Sequence, residues 1–312
     1  MKKFLIVTDG KAGHENQSKA FCRALGFDFD LWTVSYRSAA RKALAYLSDR
    51  LGLLTSPFSA EPPPAGDYAA VVCTGSTAFY PGKVIARQRG IPVAAILYPK
   101  GYRLDFDCIL APVFDHPVER PNIIPIPVNL TVPDAAFYEA GVAAFRARHT
   151  PKGPAVGVIV GGPNGFAGMT ADAMRRELER LFAVTEGRER WVTTSRRTPP
   201  EVEAVIASFP FDYTLLYSQD HFNPIPAFVS LCERLFVTAD STGMISEAVT
   251  SGSAAVEVLM NLTSDTSKFA RLIHHLESLG AVHLFDGTLG AAAHKVDLSP
   301  AFARARELLH LA

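Results

Sequence analysis

The sequence predicts an α/β protein made of two Rossmann-like halves. Three observations carry that prediction. Short apolar runs alternate with helical periods along the whole chain, as parallel sheets require. Both halves open with the same device, a strand, a glycine-bearing loop and a helix: Phe4–Thr8 before Asp9–Ser18, then Ala155–Val160 before Gly161–Gly165. The length, 312 residues, favours two domains over one. The expected division is 1–150 for an N-terminal domain and 151–298 for a C-terminal one. A closing helix in 299–312 could fold back on the first domain.

Bulk properties narrow the function. Hydrophobic residues make up 48% of the chain, which supports sizeable cores and opposes disorder. Lys+Arg and Asp+Glu both number 31, so no global field draws a polyanion, and nucleic acid is not an expected partner. Cys22, Cys73, Cys108 and Cys232 are far apart, and no pair has zinc-ligand spacing. They read as buried thiols in a reducing compartment. The apolar run after Lys2 and Lys3 stops at Val7, so it reads as a first strand and not as a signal peptide. No uncharged run reaches membrane-spanning length. The expected location is cytoplasmic, with peripheral contact at the inner face of a membrane left open.

In the first half, Phe4–Thr8 leads through Asp9-Gly10-Lys11-Ala12-Gly13-His14 into a helix ending near Leu25. Gly13 allows the backbone to approach a phosphate or a sugar closely. His14, at the mouth of that loop, is a candidate general base, and a loop histidine bonded to the backbone is the plainer alternative. The loop is not GxGxxG, so a dinucleotide fingerprint is absent. Leu31–Ser35 reads as a strand and Ser38–Leu51 as a basic helix with Arg41, Lys42 and Arg50. The apolar tip Gly52–Phe58 follows. Such a tip beside cations could touch an anionic membrane, or pack on its own domain. Tyr68–Thr74, Val93–Tyr98, Cys108–Ala111 and Ile123–Ile126 complete the strands of this half. Pro127–Pro154 is the expected linker zone, enclosing an amphipathic segment over Asp134–His149.

The second half repeats the alternation. Gly161-Gly162-Pro163-Asn164-Gly165 opens into a helix over Ala171–Thr185. Arg190–Thr194 is a strand ending in Ser195-Arg196-Arg197-Thr198-Pro199, and two guanidinium groups at that edge suit a diphosphate, or else face solvent. Leu235–Thr238 is a buried strand. Asp240-Ser241-Thr242-Gly243 supplies cap residue types, and Met244–Ser251 is helical with Gly252 at its C-terminal stop. This turn places amides and a helix dipole at the carboxyl edge of the sheet, where an anion is favoured. Glu247, a turn further in, could hold a ribose hydroxyl. Equally, Ser241 could only cap the helix and Glu247 be a solvated charge. Lys268, after the polar stretch from Met260, could reach the phosphates or point to water.

Several of these stretches carry a resemblance. Two Rossmann-like halves with a nucleotide seat in the second are similar to the GT-B glycosyltransferase fold, whose two domains face each other across a cleft. Asp240–Glu247 with AVTSGSAAVEV resembles the nucleotide-sugar segment of the lipid II-forming glycosyltransferases, in which the glutamate binds the donor ribose; Glu247 matches it. Asp9–His14 resembles that family's first glycine-rich loop, though with fewer glycines, and Gly252-Ser253-Ala254 departs from its Gly-x-Pro. A match over nearly the whole chain is to the mitochondrial-fission ELM family and its bacterial relatives. Asp9–Gln17, Gly161–Gly165, Thr194–Pro199, Asn223-Pro224 and Thr238–Glu247 carry it. That resemblance implies a GT-B-type fold and, in bacteria, a glycosyltransferase. Plant members are organelle-fission factors on a membrane surface, so it does not settle the chemistry.

The expected function is a metal-independent glycosyltransferase using a nucleotide-diphosphate sugar as substrate, with no cofactor. Gly161, Gly162, Asn164, Arg196, Arg197 and the Ser241–Thr242–Gly243 turn would neutralise the leaving diphosphate in place of a metal. His14 would deprotonate an acceptor hydroxyl, which could be lipid-linked, after domain closure. A nucleotide-sugar epimerase, with Asp220, His221 and Asp265 as candidate acid–base groups, and a non-catalytic membrane-surface scaffold are the alternatives.

Overall fold

The computed structural model describes residues 2–131 and 135–311. It divides into two compact units, Met1–Pro133 with Asp297–Ala312, and Asp134–Val296.

The first unit is built on a seven-stranded sheet. Its strands are β1 (Lys3–Thr8), β2 (Phe29–Ser35), β3 (Ser59–Ala60), β4 (Tyr68–Thr74), β5 (Val93–Ile96), β6 (Cys108–Pro112) and β7 (Ile123–Ile126), in the order β3-β2-β1-β4-β5-β6-β7. All pairings are parallel except β2 with β3. The alternation of a strand sorts β1 between two cores. Phe4 and Ile6 face a cluster with Phe21 of α1 (Ala12–Ala24) and Ala305 of the C-terminal helix, while Leu5 and Val7 face Tyr80 and Val84 of α3 (Phe79–Arg89). Burial on both sides explains the unbroken apolar run. Helix α2 (Ala39–Arg50) covers the second face, held by Ser38, whose hydroxyl accepts from the Arg41 amide at 3.3 Å.

The second unit has six parallel strands. They are β8 (Ala155–Ile159), β9 (Glu189–Thr193), β10 (Tyr213–Leu215), β11 (Arg234–Thr238), β12 (Ala255–Leu259) and β13 (His283–Leu284), in the order β10-β9-β8-β11-β12-β13. The order reverses direction between β8 and β11, and such a switch point opens a crevice at the carboxyl edge. Helices α5 (Ala171–Val184) and α6 (Pro200–Ala207) cover one core; α8 (Thr242–Thr250) and α9 (Lys268–Ser278) follow β11 and β12.

The division falls between residues 133 and 134, whereas the sequence reading placed it after 150. The cause is α4 (Ala135–Arg146), which packs on α7 (Ile225–Leu231). Gly141 lets the helices close in, since a Cβ there would sit 2.5 Å from Cβ of Pro226. Phe145 is buried against Trp191, Tyr213 and Phe228. Asp134, where the sequence reading began that segment, lies outside the described residues. The last helix, α10 (Ser299–Leu308), packs on β6 and β7 of the first unit. Two short edge strands, β3 and β13, carry too few residues to show periodicity and had no reading from sequence.

Candidate functional site

In the second unit, four loops meet at the carboxyl edge of the sheet around one carboxylate. Asp240 follows β11, and its side chain is fully buried. It accepts from the Gly162 amide at 2.9 Å, from Arg197 Nη2 at 2.9 Å and from Asn261 Nδ2 at 3.1 Å. The Asp240 amide donates to Asn261 Oδ1 at 3.1 Å, and the Asp240 carbonyl accepts from Asn164 Nδ2 at 3.1 Å. Thr238 Oγ1 takes the Gly161 amide at 2.8 Å. The loops after β8, β9, β11 and β12 are thus tied into a single frame.

The glycines are dictated by close approach. A Cβ on Gly161 would lie 2.1 Å from Asp240 Oδ2, and one on Gly162 would lie 2.2 Å from the Arg197 carbonyl oxygen. Only glycine admits both contacts.

The two arginines separate. Arg197 is engaged by Asp240 and donates through Nη1 to the Gly162 carbonyl at 2.6 Å, so it braces the loop. Arg196 is exposed, and among the described residues no hydrogen bond or ion pair engages it. Helix α8 starts at Thr242, with Gly243 exposed in its first turn. Ser241 occupies the cap position, but its hydroxyl makes no cap bond.

Glu247 lies a turn further along α8 and accepts from the Tyr138 hydroxyl at 3.0 Å. Burial raises its carboxyl above the ordinary range against the pull of that hydrogen bond. Lys268 is the first residue of α9, and among the described residues no hydrogen bond or ion pair joins it to Asp240. It is exposed and sits over the rings of Phe166 and Phe269, 5.6 and 5.7 Å from their centroids.

The first unit carries a separate cluster at the carboxyl edge of its own sheet. His14 Nδ1 lies 3.0 Å from Asp9 Oδ1. The imidazole rests on Gly75 (φ +86°), where a Cβ would be 2.4 Å from His14 Cε1. Burial pushes the Asp9 carboxyl up, but hydrogen bonds from Lys11 and His14 and the charge of His14 outweigh it and hold it below its ordinary value. The Asp9 carboxylate thereby fixes the orientation of the ring. Gly13 lies exposed in the first turn of α1, with open space around it.

A family model described as Mitochondrial fission ELM1 matches residues 12–311. The chain belongs to the mitochondrial fission ELM1 family. No curated protein matches the chain. Among solved structures it is similar to MurG of Acinetobacter baumannii, at 15% identity and TM-score 0.50, over 99% of this chain and 92% of that one. It is also similar to Medicago truncatula UGT71G1 complexed with UDP-glucose, at 11% identity and TM-score 0.50, over 99% and 90% of the two chains. At such identities the likeness is one of fold, two Rossmann-like units of the GT-B type.

For this ELM1-family chain, sequence reasoning missed three residues of the second-unit site. Asp240 reads as an ordinary cap residue, Asn261 as part of a polar loop, and Tyr138 lies 109 positions from the carboxylate it bonds. The order of charge and glycine at each strand's carboxyl end was the one signal that could have grouped the first two. Two Asp-x-Asp triplets, Asp28-Phe29-Asp30 and Asp105-Phe106-Asp107, stand at or just before the amino ends of β2 and β6 in the first sheet. Asp30 bonds Lys3 and Tyr68, Asp105 bonds Lys83, and Asp107 accepts the Val93 amide. The epimerase candidates are dispersed: Asp220 pairs with Arg148, His221 stacks on Tyr217, and Asp265 is exposed in the loop after β12.

Proposed function

We propose that this chain is a glycosyltransferase that takes its donor, a nucleotide-diphosphate sugar, at the carboxyl edge of the second sheet and needs no divalent metal. The frame around Asp240 carries the reading. It spends one buried carboxylate and one arginine on holding the glycine loop, which leaves Arg196 and the first turn of α8 as the groups turned to a ligand. Oriented amides and a guanidinium group in a fixed frame stabilise a leaving diphosphate without reorganisation. Glu247 would accept a ribose hydroxyl, displacing or sharing its bond from Tyr138. That UGT71G1 of the same fold was solved with UDP-glucose supports a nucleotide sugar as the ligand class.

In the proposed reaction, His14 removes the proton from an acceptor hydroxyl as its oxygen bonds to the anomeric carbon. The bond from that carbon to the diphosphate breaks, and its electron pair leaves on the diphosphate oxygen, whose charge the second unit meets. Gly13 sits beside His14 and leaves room for the acceptor.

The test is a melting screen with UDP, GDP, CMP and ADP. A nucleotide at 100 times its dissociation constant adds about 2.7 kcal/mol of stability. At least one should raise the melting temperature, and the effect should be lost in Arg196→Ala. No response to any nucleotide would favour the scaffold alternative. A nucleotide sugar incubated with the protein but no acceptor should be recovered unchanged; conversion to an isomer would favour an epimerase.

A further inference from the structure

Helix α2 turns few apolar groups inward. Its buried residues are Ala45, Ser48 and Asp49, two of them polar, and the half-buried Tyr46 beside them stacks on Tyr102. The two polar residues are satisfied in place. Asp49 pairs with the buried Lys83 at 2.8 Å and accepts the Arg103 amide at 2.7 Å, while Ser48 accepts from the Thr55 hydroxyl at 2.7 Å. The outward side is apolar. Ala40, Ala43, Leu44, Leu47 and Leu51 recur at helical spacing, and all five are exposed. Leu44, Leu47 and Leu51 are 48%, 53% and 63% exposed. The chain then turns at Gly52 (φ +70°) and presents Leu53 and Leu54, 50% and 51% exposed. Five leucines in eleven positions thus form one solvent-facing ridge. A core-facing helix reverses this arrangement, so the ridge is no by-product of packing.

Cations flank the ridge. Arg41 and Arg50 are exposed, one on each side of the stripe, and Arg37 precedes it. Beyond Gly52, the Arg103 guanidinium would lie 2.7 Å from an added Cβ. The acidic residue of this helix, Asp49, is withdrawn inward and neutralised by Lys83. What the ridge meets must therefore be apolar in its depth and anionic at its rim.

We infer that the leucine ridge of α2 and the Gly52–Leu54 turn insert into the interfacial region of an anionic lipid bilayer, with Arg37, Arg41 and Arg50 on the headgroups. A second copy of the chain fits less well, because a two-fold contact sets each patch on itself and brings like cations together. A convex ridge also suits a fluid that moulds to it. Insertion buries apolar side chains, and each cation adds attraction that salt screens. Among the described residues no helix is long and apolar enough to cross a membrane, so the contact is peripheral. This inference does not depend on the proposed transferase activity.

Vesicle flotation tests it, with phosphatidylcholine vesicles and with phosphatidylcholine–phosphatidylglycerol vesicles. The full chain should float with the anionic vesicles, stay behind with the neutral ones and detach as salt rises. The double variant Leu47→Glu/Leu51→Glu should lose about tenfold or more of its bound fraction. Its melting temperature and its nucleotide response should stay unchanged, since both positions are exposed. Arg41→Glu/Arg50→Glu should weaken flotation while leaving the fold intact. Failure of the unaltered chain to float with anionic vesicles would overturn the inference, and so would equal flotation of the leucine variant. A concentration-dependent dimer in sedimentation that Leu47→Glu/Leu51→Glu abolishes would assign the ridge to self-association instead.

Discussion

His14 is held by a carboxylate on one side and a glycine on the other, and each support can be removed separately. His14→Ala should leave nucleotide affinity unchanged and lower turnover by about 10²–10⁴-fold, the usual contribution of a positioned base. Gly75→Ala forces a Cβ into the imidazole at a positive φ. It should cost about 1–3 kcal/mol of stability and lower turnover through displacement of the ring. Calorimetric binding and a rate assay separate the two effects. In the second unit, Arg197→Met strips the Asp240 carboxylate of its guanidinium partner. The loss should be about 2–4 kcal/mol in chemical denaturation, because the buried charge keeps only its neutral donors. Arg196→Ala should leave stability unchanged and weaken nucleotide binding alone. The sequence paired these two arginines as equals. Their separation depends on Asp240, which is distant in sequence and could not be identified as their partner from local pattern.

At the scale of elements, the strands and their carboxyl-edge loops were legible because buried parallel strands are continuous apolar runs and their loops carry glycine and hydroxyl residues. In the structure Ser38, Thr170 and Ser267 cap their helices, their hydroxyls accepting first-turn amides. Helix α4 was legible as an amphipathic segment but not as part of the second unit. That membership comes from the contact of Gly141 with Pro226 and from Phe145 in its aromatic cage, and both are long-range. Helix α8 carries a pH signature. A carboxyl raised in the folded state, as Glu247 is, contributes stability below its ordinary value of 4.5 and loses it as pH climbs through the folded value. Glu247→Gln should remove that decline, so the variant gains on the unaltered protein in melts taken from about pH 4 to pH 8. The same change should weaken nucleotide binding, which separates site function from stability.

The whole molecule is two Rossmann-like units, each with its own candidate chemistry at the carboxyl edge of its own sheet. The first holds a histidine oriented by Asp9, and the second a frame around Asp240 with Arg196 exposed, which in the proposed reaction meets the diphosphate together with the start of α8. That division was readable in outline, because each half of the chain repeats strand, glycine loop and helix. The ion network beneath α2 was not. Lys83 reads from sequence as one of three cations on a helix, yet it is 2% exposed and pairs with Asp49 and Asp105. Lys83→Met would strip the buried Asp49 of its cation, while Asp105 keeps Arg87 and Arg103, and should cost about 3–5 kcal/mol. A melt that reports the units separately should show that loss in the first alone. The most direct measurement of the central claim is calorimetric titration of the full chain and of Arg196→Ala with UDP, GDP, CMP and ADP in metal-free buffer with chelator. The account predicts one saturable nucleotide that binds without metal and is weakened about tenfold or more by the substitution. Binding of none of them, or binding indifferent to Arg196, would contradict it.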